Sequence, residues 1–303
     1  MQAMIEISDT FIFNTMLKSS SLLGLSAGML GVVLSYQRRS IEINALAAGS
    51  FVGILVFYLL AGVGIYLSPY IFGEMDKYVF SFSGSIAGAL FMIFLLHILY
   101  KTDRLHTHII QSLMTAVMLG VGITLITYIR QTGGALDSGI DIYLFGETTS
   151  LTSEEFEFLK AVAIGSIFIL LIFFKRIKIV VFNKDLARTT HFRIKFYQTI
   201  INIMVICLVA FSIKIMGVFL TVAIFLIPAV TGRLWSNRLF TIMIIAGLIG
   251  AFSGAAGTII SGTLGNMTLG ISITLILALI FFISLLISPY KGVIGKYYIK
   301  GDK

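Results

Sequence analysis

The sequence predicts an all-α integral membrane protein of about nine transmembrane helices, eight to nine by the apolar stretches alone. Three observations carry this. Of 303 residues, 58% are hydrophobic and 12% charged, and mean hydropathy is +1.01, whereas soluble chains carry about a quarter charged residues. Nine apolar stretches approach the roughly 20 residues a helix needs to cross about 30 Å of hydrocarbon. The charges between them gather in short polar segments, the most basic being 175–198 (KRIKIVVFNKDLARTTHFRIKFYQ).

The first span is expected at 16–36. Ahead of it, MQAMIEISDTF lacks a basic segment, an apolar run and a small-residue cleavage site, so no cleaved signal peptide is expected. The second, at 43–66, follows the paired Arg38 and Arg39. The third and fourth, at 79–100 and 109–129, flank the polar turn KTDRLHTH. The fifth and sixth, 159–174 and 197–213, are short. The seventh, 217–234, holds Pro228 in its interior, where the missing N–H leaves a broken or re-entrant element open. The eighth and ninth fall at 239–261 and 269–289. Nothing marks a second domain, so 1–303 reads as one transmembrane domain with a polar loop at about 175–198. The single cysteine, Cys207, lies in an apolar run and excludes a disulfide framework.

Charge orients the bundle. With 175–198 placed in the cytoplasm and nine crossings, the N-terminus lies outside and the C-terminus inside. Most of the 22 basic residues then fall on the cytoplasmic side, as the positive-inside rule requires, and most of the 14 acids fall outside. The net charge of +8 is thereby a matter of topology, and nucleic-acid binding is not expected. Small residues recur at four-residue spacing in Gly24/Gly28, Gly49/Gly53, Gly84/Gly88 and Gly250/Gly254, a pattern that lets membrane helices pack closely.

No Asp or Glu falls deep in a predicted span, which argues against a proton- or sodium-coupled carrier. An intramembrane serine enzyme is the rival class, carried by Ser253 in Ala251-Phe252-Ser253-Gly254. Such a serine needs a histidine at its own depth. The one histidine within a span, His97, is expected roughly 15 Å away along the membrane normal, counting 1.5 Å per residue. His106 and His108 form a His-x-His pair, which can ligate metal in an extended segment but diverges on a helix. In the central loop, Asn183 can cap a short surface helix with Asp185 in its first turn. That helix suits either anionic lipid or a cytoplasmic motor.

Asn183-Lys184-Asp185-Leu186-Ala187-Arg188, then Gly217 through Pro228 to Arg233, then Ser253-Gly254-Ala255-Ala256-Gly257, follow one another in an order that resembles the metal-cation permease family of ABC importers. Gly28-Met29-Leu30-Gly31 before Arg38-Arg39, and Leu144-Phe145-Gly146-Glu147, extend the likeness over nearly the whole chain. The resemblance implies a type II ABC importer permease-like bundle in a bacterial inner membrane, importing zinc, manganese or iron. It implies that Asn183, Asp185, Leu186, Ala187 and Arg188 engage a separate cytoplasmic ATPase, which would use the ATP and Mg, so that this chain is no enzyme and binds no cofactor. It further implies an external solute-binding protein, a second permease copy or paralogue, and pore or gating roles around Pro228, Gly217 and Ser253.

One departure is plain. Where the family has Asp-Ala-Leu-Ser-His, whose Asp and His are the expected metal ligands, this chain reads Asn44-Ala45-Leu46-Ala47-Ala48. Asparagine is a weak neutral donor and alanine donates nothing. At the start of the fourth helix, where the family has an acidic pair, the chain has Thr107-His108. Three accounts stay open: a paralogous partner keeps the ligands, a substitute site uses Asn44 or His108, or the substrate is a chelated metal or another small solute.

Overall fold

The computed structural model describes residues 2–37, 39–67, 77–101, 106–131, 142–146, 153–182, 194–264 and 267–288, and every regular element among them is an α-helix. In chain order these are α1 Gln2–Tyr36, α2 Ser40–Leu67, α3 Lys77–Tyr100, α4 Thr107–Gln131, α5 Ile142–Phe145 and α6 Ser153–Ile172. They continue as α7 Phe174–Phe182, α8 Ile194–Met216, α9 Val218–Trp235, α10 Leu239–Leu264 and α11 Leu269–Ile287. Eight of them, α1 to α4 and α8 to α11, are long and apolar enough to cross a membrane.

The expected fifth span is α6, whose first half is weakened as an apolar stretch by Glu155, Glu157 and Lys160. Packing shows its course. Glu155 pairs with Lys214, Phe158 stacks on Phe211 at 5.6 Å between ring centres, and Phe173 meets Tyr197 at 5.6 Å. Rising numbers on α6 thus meet falling numbers on α8. The segment from Ser153 to Phe173 therefore runs antiparallel along α8, although α6 is not among the eight described helices long and apolar enough to cross a membrane.

Two seams of small residues organise the bundle. In the first, a side chain at Gly24 would collide with the backbone of Gly250, and one at Gly250 with the backbone of Gly24. Ser20 and Thr258 share a hydrogen bond of 2.7 Å beside them. The two backbones therefore approach to near contact, which replaces the hydrophobic drive that lipid cannot supply. In the second seam, Gly49 and Gly53 of α2 lie against Gly84 and Gly88 of α3. The helices α1, α9, α10 and α11 form one group and α2, α3 and α4 another, with α8 packed on both.

Three sequence expectations are adjusted. Helix α1 begins near residue 2 rather than 16, because the residues before the apolar stretch continue the helix beyond it. The polar loop expected over 175–198 opens with α7 and closes within α8: Ile177 turns inward while Lys175 and Lys178 reach outward, so charged residues are carried on helix. Finally, α9 runs unbroken through Pro228, so no broken or re-entrant element forms there. The break falls instead at Gly217, whose φ of 80° lets the chain reverse between α8 and α9 in a single residue.

Candidate functional site

The two ends of the bundle differ in charge. One end carries Glu154, Glu155 and Glu157 at the start of α6, together with α5. There the Tyr143 hydroxyl hydrogen-bonds Ser81 at 2.6 Å, and Gly146, at φ 84°, lies against the backbone of Ile215 and Met216. Lys214 is the balancing cation. It reaches the nearly buried carboxylate of Glu155, the strongest interhelical charge contact at this end.

The opposite end is basic and polar. Arg39, in the turn between α1 and α2, grips Glu42 with two nitrogens and donates a third hydrogen bond, 3.1 Å, to Oδ1 of Asn202 on α8. A bidentate fork of this kind fixes geometry as well as charge. The Arg233 guanidinium lies 4.7 Å from the centre of the Tyr36 ring, and Arg176 donates to the Tyr197 hydroxyl at 2.5 Å. Gln111 donates to the Tyr100 hydroxyl at 2.9 Å and joins the start of α4 to the end of α3. The side chain of Gln37 is buried with no hydrogen-bond partner at either amide atom among the described residues. This polar layer ties α1, α2 and α8 together. In the sequence Arg39 and Glu42 read as topology markers; the Arg-x-x-Glu spacing at a helix start was the available signal that they pair.

The sequence-predicted site residues are dispersed. Asn183, Asp185, Leu186, Ala187 and Arg188 lie outside the described residues. Asn44 is half-buried, whereas Ala48 is buried in an apolar cluster with Ala45, Met92, Leu96, Ile110 and Met118. His108 is exposed in the first turn of α4, two residues before Ile110 of that cluster. Among the described residues no group of three or more His, Cys, Asp and Glu side chains could hold a metal ion. Pro228 is buried in α9. Ser253 is fully buried and donates 2.6 Å to the Ile249 carbonyl of its own helix. His97 is exposed on α3, so the serine has no base beside it there.

Comparison with known proteins gives a consistent result. A profile described as the ABC 3 transport family matches residues 8–288. The manganese transport system membrane protein MntC of Bacillus subtilis is 27% identical over 280 residues, 92% of this chain and 62% of that protein. The chain thus spans somewhat less than two thirds of that relative. The zinc transport system membrane protein TroC of Treponema pallidum is 22% identical, over 97% of this chain and 95% of its own length. Among solved structures, PsaBC from Streptococcus pneumoniae in complex with Fab aligns over the whole of both chains with a TM-score of 0.78 at 22% identity. An inward-facing conformation of a putative metal-chelate type ABC transporter aligns over 89% of this chain and 84% of the other, with a TM-score of 0.67 at 18% identity. At these identities the structural matches establish the fold.

Proposed function

Because the chain belongs to the ABC 3 transport family, we propose that it is the membrane-spanning permease of an ATP-driven importer in a bacterial cell membrane, with a divalent metal ion as substrate. The observation that carries this reading is the family match over 8–288, along a multi-pass helical bundle whose relatives are named for manganese and zinc transport. The chain works as one of two permeases, with two cytoplasmic ATPase subunits and an external solute-binding protein. ATP and Mg are used by the partner, and this chain catalyses nothing itself.

The basic end faces the cytoplasm under the positive-inside rule. Segment 183–188 is the contact for the ATPase, and the Arg39–Glu42–Asn202 layer passes movement to α1, α2 and α8. Ala48 sits in an apolar cluster and His108 is exposed, an arrangement that favours a partner permease, or other residues of this chain, as source of the metal ligands.

The test is reconstitution. The tagged chain is expected to bring down an ATPase and to support ATP-dependent uptake of zinc, manganese or iron in proteoliposomes. Ala187→Trp should lower transport-coupled ATPase activity while the protein stays folded, and His108→Ala should leave uptake unchanged. A chain that captures no ATPase, or uptake indifferent to ATP, overturns the reading.

A further inference from the structure

An open groove of about 300 Å³ runs between α1, α6 and α10 at the acidic end of the bundle. Leu22, Leu25, Phe156 and Ile164 form its walls, and Lys18 and Lys160 stand at its rim. The lysines lie where the apolar surface of the bundle begins: Lys160 is just over one turn below Glu155 on α6, and beyond it toward α7 that helix carries no charge. The groove then descends along Leu22, Leu25 and Ile164 toward the membrane interior. Phe168, Leu248 and Phe252, on the same helices, are among the most exposed apolar side chains of the protein, so this flank faces hydrocarbon.

The two cations differ in their engagement. Lys18 is exposed and has no carboxylate partner among the described residues. Lys160 contacts Glu157 at 2.6 Å and lies 5.6 Å from the centre of the Phe156 ring. Both members of that ion pair are well exposed, and such pairs hold their partners by about 1 kcal/mol or less. A stronger anion can therefore share Lys160.

We propose that this groove binds one anionic phospholipid, its phosphate held between Lys18 and Lys160 and an acyl chain lying along Leu22, Leu25 and Ile164. Each feature matches a different part of that molecule. A soluble anion would leave the apolar walls unused, and an uncharged apolar ligand would leave both lysines without an anion. Two lysines beside an apolar wall attract an anionic head group by Coulomb attraction, which salt screens only beyond about 8 Å at physiological ionic strength.

Native mass spectrometry of the detergent-purified chain, exchanged against phosphatidylglycerol and phosphatidylcholine micelles, tests this. Preferential retention of one phosphatidylglycerol is expected, and K18A/K160A should weaken it roughly tenfold to thirtyfold, from the loss of two cations at the membrane surface. Lys18→Arg with Lys160→Arg should restore it. Ala251→Phe fills the groove from α10 with both lysines intact and should also expel the lipid. Equal retention of both lipids, unchanged retention in K18A/K160A or in Ala251→Phe, or a disulfide between two copies through Ile164→Cys in membranes would each overturn the proposal. None of these readouts depends on transport.

Discussion

Lys214 and Glu155 are separated by 59 residues and meet in the bundle with 21% and 4% of their side chains exposed. Removing one partner from such a pair leaves a buried charge and costs about 3–5 kcal/mol, whereas replacing both by apolar groups is often neutral. Lys214→Met alone should therefore lower the thermal midpoint in detergent markedly, and Lys214→Met with Glu155→Met should recover most of the loss. Equal midpoints for the single and double variants would show that the pair carries no weight. At this scale the sequence was only partly legible. That Asn44 and Ala48 replace acidic and histidine ligands follows from residue type alone. That Ala48 lies in an apolar cluster while His108 is exposed requires knowing which faces of α2 and α4 are covered. The same holds for Ser253, whose hydroxyl is spent on the Ile249 carbonyl.

Helices α1 and α10 meet through Gly24 and Gly250 so closely that neither position admits a side chain without moving backbone. Gly24→Leu should accordingly abolish folded protein or sharply reduce its yield. Gly120, by contrast, has nothing within 4 Å of the site a side chain would take. Gly120→Ala should keep or raise the thermal midpoint, since glycine in a helix interior costs about 0.5–1 kcal/mol relative to alanine. A Gly120→Ala midpoint well below wild type, or a Gly24→Leu midpoint equal to it, would refute this account of the seam. The four-residue spacing announced that close-packed faces exist, because helical periodicity is local. It could not announce the partner of each face, since Gly24 and Gly28 match Gly250 and Gly254 as well in sequence as they match Gly84 and Gly88. The reversal at Gly217 was hidden for a related reason: Pro228 is the stronger local breaker, yet α9 continues through it.

Across the whole molecule, the described helices place Arg39, Arg176 and Arg233 at one end and Glu154 and Glu155 at the other, as the charge pattern requires. In a Cys207→Ala background, Glu154→Cys should react with an impermeant maleimide in intact cells, and Lys175→Cys only after permeabilisation. The reverse pattern would invert the orientation proposed here. Length, composition and the basic segments were enough to determine an all-helical membrane bundle and its approximate spans, and the motifs at 183–188, 217–233 and 253–257 carried the resemblance that the family match bears out. These are properties of runs of residues, each of which must satisfy the hydrocarbon on its own account. Tertiary structure alone decided that α6 packs antiparallel along α8 through Glu155 and Lys214, that Arg39 and Glu42 lock onto Asn202, and that Lys18 and Lys160 share one apolar groove. Those are pairings between distant parts of the chain, and they depend on which faces close packing brings together.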